Sequence, residues 1–319
     1  MRTVRFAAFG DPGVLGVGEV PDLRAPSGDE LLVRVEASSV NGTDLGLRRG
    51  DLKIATWGRM PFVPGFDLAG EVVACGPRVT AFSPGDQVMA LLGHGGGGQA
   101  ERVLLRQGRA ASVPRSCSVV EAAALPLAGL TALQALYRHA GLQTRPGARV
   151  LVLGAAGGIG SYAVQLAVRT GAHVTGVASG TKLAFAAALG CEELLDYRRE
   201  DLTASGQRWD VILDSPGRYS FATLRHLLRP GGVMVSTRPV AKDTPRILTA
   251  ALHRGKQPQY AAVMTQARAQ DLAHLAALVD RGQLRANVHR SFPMTRAAEA
   301  HKLAETTATG KVVLETPWT

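Results

Sequence analysis

The sequence predicts an α/β protein, with a β-rich first part followed by a doubly wound parallel sheet. Three observations predict it. From Arg149 onward, short apolar runs recur with helical stretches between them: Arg149–Leu153, His173–Ala178, Glu193–Leu195, Asp210–Leu213, Gly232–Ser236 and Gln259–Met264. Apolar, β-branched runs suit strands buried on both faces, and alternation with helices makes the sheet parallel. The first of these strands runs straight into a glycine-rich turn, RVLVLGAAGGIG at 149–160. From Arg2 to Arg106 the pattern is instead strand and turn.

In chain order, Glu30–Val35 and Gly70–Val73 read as strands, and Ser83-Pro84-Gly85-Asp86 is a turn before a third at Gln87–Leu91. Gly95–Gly98 reads as a flexible loop. Helices begin at Ser118. Ser161–Val168 is an amphipathic helix, Gln266–Asp280 another, and Val288–Phe292 and Gly310–Leu314 return to strand. A chain of 319 residues exceeds one ordinary domain. The expected division is 1–124, 125–265 and 266–319, the last segment rejoining the first.

Met1–Phe9 carries two arginines and no long apolar core, so no signal peptide is expected. The most apolar stretch, Val119–Tyr137, is broken by Glu121 and Pro126 and does not read as a membrane span. The cysteines, Cys75, Cys117 and Cys191, are odd in number and far apart. That spacing argues against a disulfide framework and for a reducing cytoplasm. The net charge of +10 comes from scattered arginines without a block of like charge. It reads as a solvated basic surface rather than a nucleic-acid site, with mild attraction for an anionic cofactor.

The glycine turn carries the chemistry. Gly154 permits the tight turn, Gly157 lets the backbone approach a pyrophosphate, and Gly160 lets the following helix pack close to its strand. Gly158 and Ile159 lie in the loop before that helix, whose N-terminus offers N–H groups and the positive end of a dipole to an anion. Ala155 stands where the GxGxxG pattern wants its first glycine, and Ala156 completes the loop. After the second strand, an NAD site places an acid for the ribose 2′-hydroxyl. Here the positions are Ala178, Ser179, Gly180, Thr181 and Lys182. Hydroxyls and an ammonium there favour a 2′-phosphate, hence NADPH over NADH. Tyr197 and Arg198, after the third strand, are placed to flank the adenine ribose. The competing reading is a solvated helix start with Ser179 as N-cap.

Further landmarks are Ser39-Val40-Asn41-Gly42-Thr43-Asp44, Pro64-Gly65-Phe66-Asp67-Leu68-Ala69-Gly70, Pro84-Gly85-Asp86, Leu125-Pro126 with Gly129-Leu130-Thr131-Ala132, Leu228-Arg229-Pro230-Gly231-Gly232, and Gly310-Lys311-Val312-Val313-Leu314. In this order the chain resembles the medium-chain dehydrogenase/reductase superfamily, in its zinc-free quinone oxidoreductase branch, over nearly its whole length. The resemblance implies a GroES-like catalytic domain built from both chain ends around a central Rossmann domain, with the active site between them. It implies hydride transfer from NADPH to a quinone or an enone or enal. It also implies a homodimer joined at the edge strand 259–264, with Tyr260 and Val263 in or beside the interface.

Zinc-dependent relatives bind metal with Cys and His or Cys ligands, and the matching positions here are Asn41 and Phe66. The segment around His94 lacks the cysteines of a structural zinc lobe, so no metal is expected. By resemblance Asn41 lines the nicotinamide end of the site, where its amide donates to a substrate oxygen; the other reading is a cap for the turn before Asp44. Thr131 contacts the nicotinamide or its ribose, or else bonds back to a helix carbonyl. Lys311 reaches a cofactor phosphate, or is a surface strand lysine. Asp44 and Asp67 read as structural acceptors of backbone N–H groups. The family's pocket tyrosines are missing: Gly46, Leu47 and Leu52 lie in that region, leaving Trp57 and Phe62 to supply aromatic surface. The alternative from another functional class is a non-catalytic nucleotide- or RNA-binding protein of the same fold.

Overall fold

The computed structural model describes residues 1–53, 58, 60–93, 95–238 and 259–318. Trp57 and His94 lie outside the described residues. The chain divides into two compact units, Met1–Leu130 with Gln266–Thr319, and Thr131–Thr265. The first division falls after Leu130, not after 124 as expected. The reason is local: the helix at Pro126–Leu133 begins inside the first unit, where the Leu127 N–H is held by Asp67.

Unit one contains β1 (Arg2–Arg5), β2 (Gly16–Glu19), β3 (Glu30–Val40), α1 (Gly42–Arg49), β4 (Asp67–Cys75), β5 (Gln87–Leu91), β6 (Arg102–Arg106), β7 (Ala110–Ser112), α2 (Val119–Ala123) and the start of α3 (Pro126–Leu133). Strand β3 is longer than expected because its two halves have different partners. Glu30–Arg34 pairs with β6, and Ala37–Val40 pairs with β15 (Lys311–Glu315), the strand near the far chain end. The residues after Val35 end the apolar signal, and pairing of Ala37–Val40 with that distant strand carries β3 on to its end. Among the described residues the sheet runs β14-β15-β3-β4-β5-β7, with β14 at Val288–Pro293. Its core gathers Leu31, Val33, Val35, Leu68, Val72, Val88, Val312 and Leu314.

Gly95–Gly98 is not a slack loop. The Gly97 and Gly98 N–H groups donate to the Val63 and Gly65 carbonyls at 3.0 and 2.9 Å. A Cβ at Gly98 would lie 2.9 Å from the Asp67 carbonyl oxygen. At Gly96 and Gly98 the missing side chain allows close backbone approach, and Gly97 takes a φ of +101°.

Among the described residues unit two holds a six-stranded parallel sheet in the order β10-β9-β8-β11-β12-β13. Its strands are β8 (Arg149–Leu153), β9 (His173–Ala178), β10 (Glu193–Asp196), β11 (Trp209–Asp214), β12 (Leu228–Ser236) and β13 (Gln259–Ala262). The chain builds outward from β8 to β10, then returns to β11 on the other side of β8. That reversal is where doubly wound sheets bind ligands, beyond the carboxyl ends of the strands. Leu151, Ile212, Met234 and Trp209 form the core, and the Trp209 indole donates to Thr175 Oγ1 at 3.1 Å.

Strand β13 is the last of this sheet and stops at Ala262, short of the expected Met264. Tyr260 and Val263 are buried within their own unit, and the Tyr260 ring packs 5.5 Å from Phe221. The apolar side chain left exposed beyond the strand is Met264, at 72%. No helix among the described residues is long and apolar enough to cross a membrane.

Candidate active site

The glycine loop joins β8 to α4 (Gly158–Arg169). Gly154 has φ +71°, and a Cβ there would meet Ser215 Oγ at 2.9 Å and the Pro216 ring. At Gly160 a Cβ would lie 2.1 Å from the Gly154 carbonyl oxygen, so helix and turn touch backbone to backbone. Ala155 is tolerated because its side chain is fully buried and its N–H, like that of Gly154, donates to the Val177 carbonyl at 3.0 Å. The Gly157 N–H closes back onto Gly154 O at 2.9 Å. Gly158 and Ile159 are the first residues of α4, whose opening N–H groups have no carbonyl one turn back. These N–H groups, with Ala156 beside them, are the ones available to a pyrophosphate.

Ser179 follows β9 at the N-cap position of the short helical turn Gly180–Lys182, but its side chain makes no capping bond. Lys182, Tyr197 and Arg198 come within electrostatic reach of one another. Burial pulls the Lys182 ammonium below its ordinary value, with Tyr197 opposing and Arg198 adding to the effect. Arg198 stands 6.0 Å over the Tyr197 ring. A neighbour missed in the sequence is Asp196, whose Oδ2 lies where a Cβ at Gly180 would come within 2.7 Å. Its carboxylate accepts the Arg198 N–H at 3.0 Å and faces Arg199 at 3.9 Å, which draws its charge toward its own turn.

In the first unit β3 ends at Val40 and α1 begins after Asn41. Asn41 is extended, and Asp44 at the third helical position accepts the Asn41 N–H at 2.8 Å, a capping box. The other Asp44 oxygen accepts the Gly65 N–H at 2.7 Å. Asp67 Oδ1 accepts the Ser39 N–H and hydroxyl at 3.1 and 2.7 Å. Its Oδ2 accepts the Asn41 amide at 3.2 Å and the Leu127 N–H at 3.3 Å. Lys311 donates to the Val40 carbonyl at 3.1 Å and to Asn41 Oδ1. Asp44 and Asp67 are fully buried, and Lys311 is 3% exposed. Burial, with the Asp67 charge, pushes the Asp44 carboxyl up to about 7, against the N–H groups of Gly65 and Asn41 and the Lys311 charge. Burial also lowers the Lys311 ammonium from its ordinary value, and Asp67 and Asp44 oppose that.

Two expectations are corrected here. Lys311 is neither a surface lysine nor free to reach a phosphate, because β15 pairs with the end of β3 and turns its ammonium beneath Asn41. The Asn41 amide is not held out as a donor to substrate. Its two N–H bonds go to Ser39 O and Asp67, both at 3.2 Å, and the residue caps α1. Asp44 and Asp67 accept backbone N–H groups as expected. In unit two the Thr131 hydroxyl pairs with that of Thr265 at 2.7 Å. Phe62 is core, its ring 5.7 Å from Phe6. The signal that could have found the Lys311 contact is register: a lysine opening a strand that pairs with Ala37–Val40 must arrive beside residue 41.

Residues 27–115 match the alcohol dehydrogenase GroES-like domain family, and residues 189–314 match the zinc-binding dehydrogenase family. The chain is 32% identical to the chloroplast envelope quinone oxidoreductase homolog of Arabidopsis thaliana, over 99% of this chain and 98% of that protein. It is 32% identical to the chloroplastic NADPH-dependent alkenal/one oxidoreductase of the same plant, over 98% of this chain and 79% of that one. The solved quinone oxidoreductase of Coxiella burnetii superposes with a TM-score of 0.90 at 32% identity, over 99% of both chains. The chain belongs to the medium-chain dehydrogenase/reductase superfamily, in its quinone oxidoreductase branch, and is an oxidoreductase. The reading as a non-catalytic RNA binder is not favoured by these relatives. The residues do not fit the zinc of the second family's description. Phe66 has no donor atom, and the Asn41 carboxamide already faces an ammonium, which repels a cation.

Proposed function

We propose that this protein is a metal-independent oxidoreductase that moves hydride from NADPH to a quinone or an α,β-unsaturated carbonyl. The observation that carries this reading is the glycine loop at the reversal of the parallel sheet, with Lys182, Tyr197 and Arg198 at the ends of the two neighbouring strands. Bound NADPH supplies the hydride. The chain supplies N–H groups for the pyrophosphate and cations for the 2′-phosphate. Without a metal to polarise a simple ketone, the acceptor must carry its own activation, as a quinone or enone does. The relative named as an alkenal/one oxidoreductase supports that acceptor class and the NADPH preference.

Stopped-flow oxidation of NADPH and NADH in parallel, against a panel of quinones, enones and saturated ketones, tests it. Turnover of quinones or enones with NADPH is expected, with chelator and added zinc both without effect. Ketone reduction that needs zinc would refute it. We also infer a homodimer through the outer edge of β13, where exposed Met264 would find cover. Light scattering at micromolar concentration should give twice the chain mass. A cytoplasmic location rests on the free, dispersed thiols.

A further inference from the structure

We propose that Lys311 is a positioning residue, whose ammonium fixes which way the Asn41 carboxamide faces and thereby holds the β3–α1 corner in the form the reaction needs. The proposal rests on the reading that this corner serves hydride transfer.

The argument begins with donors and acceptors. An ammonium only donates, and a carboxylate only accepts. The Asn41 carboxamide sits between one of each, Lys311 on its oxygen and Asp67 on its nitrogen. Ser39 O adds a second acceptor on the nitrogen side. A flipped amide would set its NH2 against the ammonium and its oxygen against a carboxylate and a carbonyl. One orientation satisfies all these partners and the other satisfies none.

Asp67 and Ser39 hold the nitrogen end of the amide, and Lys311 holds its oxygen. Without the ammonium that buried oxygen loses its charged donor, and a buried acceptor left without a donor is costly. The effect reaches further, because the same Asp67 oxygen accepts the Leu127 N–H at the start of α3, the helix that carries Thr131. Lys311, Asn41 and Asp67 thus form one buried chain of bonds that joins the end of β3 to the start of α3.

The chain holds two asparagines, Asn41 and Asn287, so asparagine-selective 15N labelling gives two side-chain amide signals. In the intact protein the Asn41 amide should appear as one pair of resonances, exchanging about a hundredfold more slowly than that of half-buried Asn287. Two interconverting pairs, or exchange as fast as Asn287, would overturn the proposal. In Lys311→Met the Asn41 signal should split or lose protection. At the same time kcat should fall about tenfold, with KM for the acceptor and binding of NADPH within about twofold of the parent. A folded Lys311→Met with parental kcat and an unchanged amide pair would overturn it. Should that variant not fold, Lys311→Arg keeps a donor-only cation and must retain one amide pair and most of kcat; loss of both would equally overturn it. If the intact protein turns over no acceptor, hydride transfer is what fails, and the amide signals alone decide the role of Lys311.

Discussion

The glycine loop and the Asn41 corner do their work by opposite means. In the loop, function comes from missing side chains: at Gly160 a Cβ would strike the Gly154 carbonyl at 2.1 Å. The loop itself lies between residues 149 and 160, with the Val177 carbonyl accepting from Gly154 and Ala155. In the corner, function comes from side chains satisfying one another, drawn from residues 39–44, 65–67, 127 and 311. The loop is a local device that tolerates no added atom. The corner is a distributed device that tolerates no lost charge.

The largest expected effect lies in the corner. Asp67→Ala would leave the Ser39 N–H and hydroxyl, the Asn41 amide and the Leu127 N–H without their shared acceptor, and the Lys311 ammonium without a nearby negative charge. A loss of about 3–5 kcal/mol in unfolding free energy is expected by urea titration, as where a buried charge loses its compensation. A loss under about 1 kcal/mol would mean that water reaches the corner and that the charges there are weakly coupled.

The loop should fail differently. Gly160→Val should weaken NADPH about a hundredfold, near 2.7 kcal/mol, measured by fluorescence titration. The Asn41 amide signal should stay put. Unchanged NADPH affinity would show that the loop is an ordinary βα turn.

A third test uses pH. His301 is fully buried, and its imidazole is pushed down to about 3 by burial and by the Arg48 charge. The unfolded chain binds a proton near pH 6.5 that the folded chain refuses. Stability is therefore full above neutral pH and falls by about 2 kcal/mol between pH 7 and pH 5. Urea titrations of His301→Leu should show a flatter pH dependence than the parent by that amount. An equal slope in both would place the acid sensitivity in other groups. Asp44 acts the other way: its raised carboxyl favours the fold most at low pH and loses that contribution as pH rises through about 7.

The smallest effect separates the cofactors. Lys182→Ala should weaken NADPH about tenfold, near 1.4 kcal/mol, and leave NADH unchanged. Equal loss for both would remove Lys182 from the 2′-phosphate site.

The same contrast explains what could be read in the sequence. Strands β8 and β9 were legible to the residue because their signal is local, an apolar run closed by glycine or serine. The outer half of β3 was not, because Ala37–Val40 carry no apolar run and are held by pairing with β15, with Ala37 also against β4. Gly154, Gly157 and Gly160 announced their roles by spacing. Lys311 did not, since its strand gives no sign of which face its side chain takes. The glycines at 95–98 looked slack because their partners, Val63 and Gly65, belong to another segment. Edge strand β13 was placed by alternation, but the burial of Tyr260 depends on Phe221, which no local pattern reveals.

The most direct test of the central claim follows the hydride itself. The protein would be given NADPH carrying deuterium at C4 of the nicotinamide and an enone, and the product analysed by NMR and mass spectrometry. One deuterium at the carbon β to the carbonyl, transferred from one face of the nicotinamide only, is the result the account predicts. An unlabelled product, or no reduction of any quinone or enone under conditions where NADPH is bound, would contradict it.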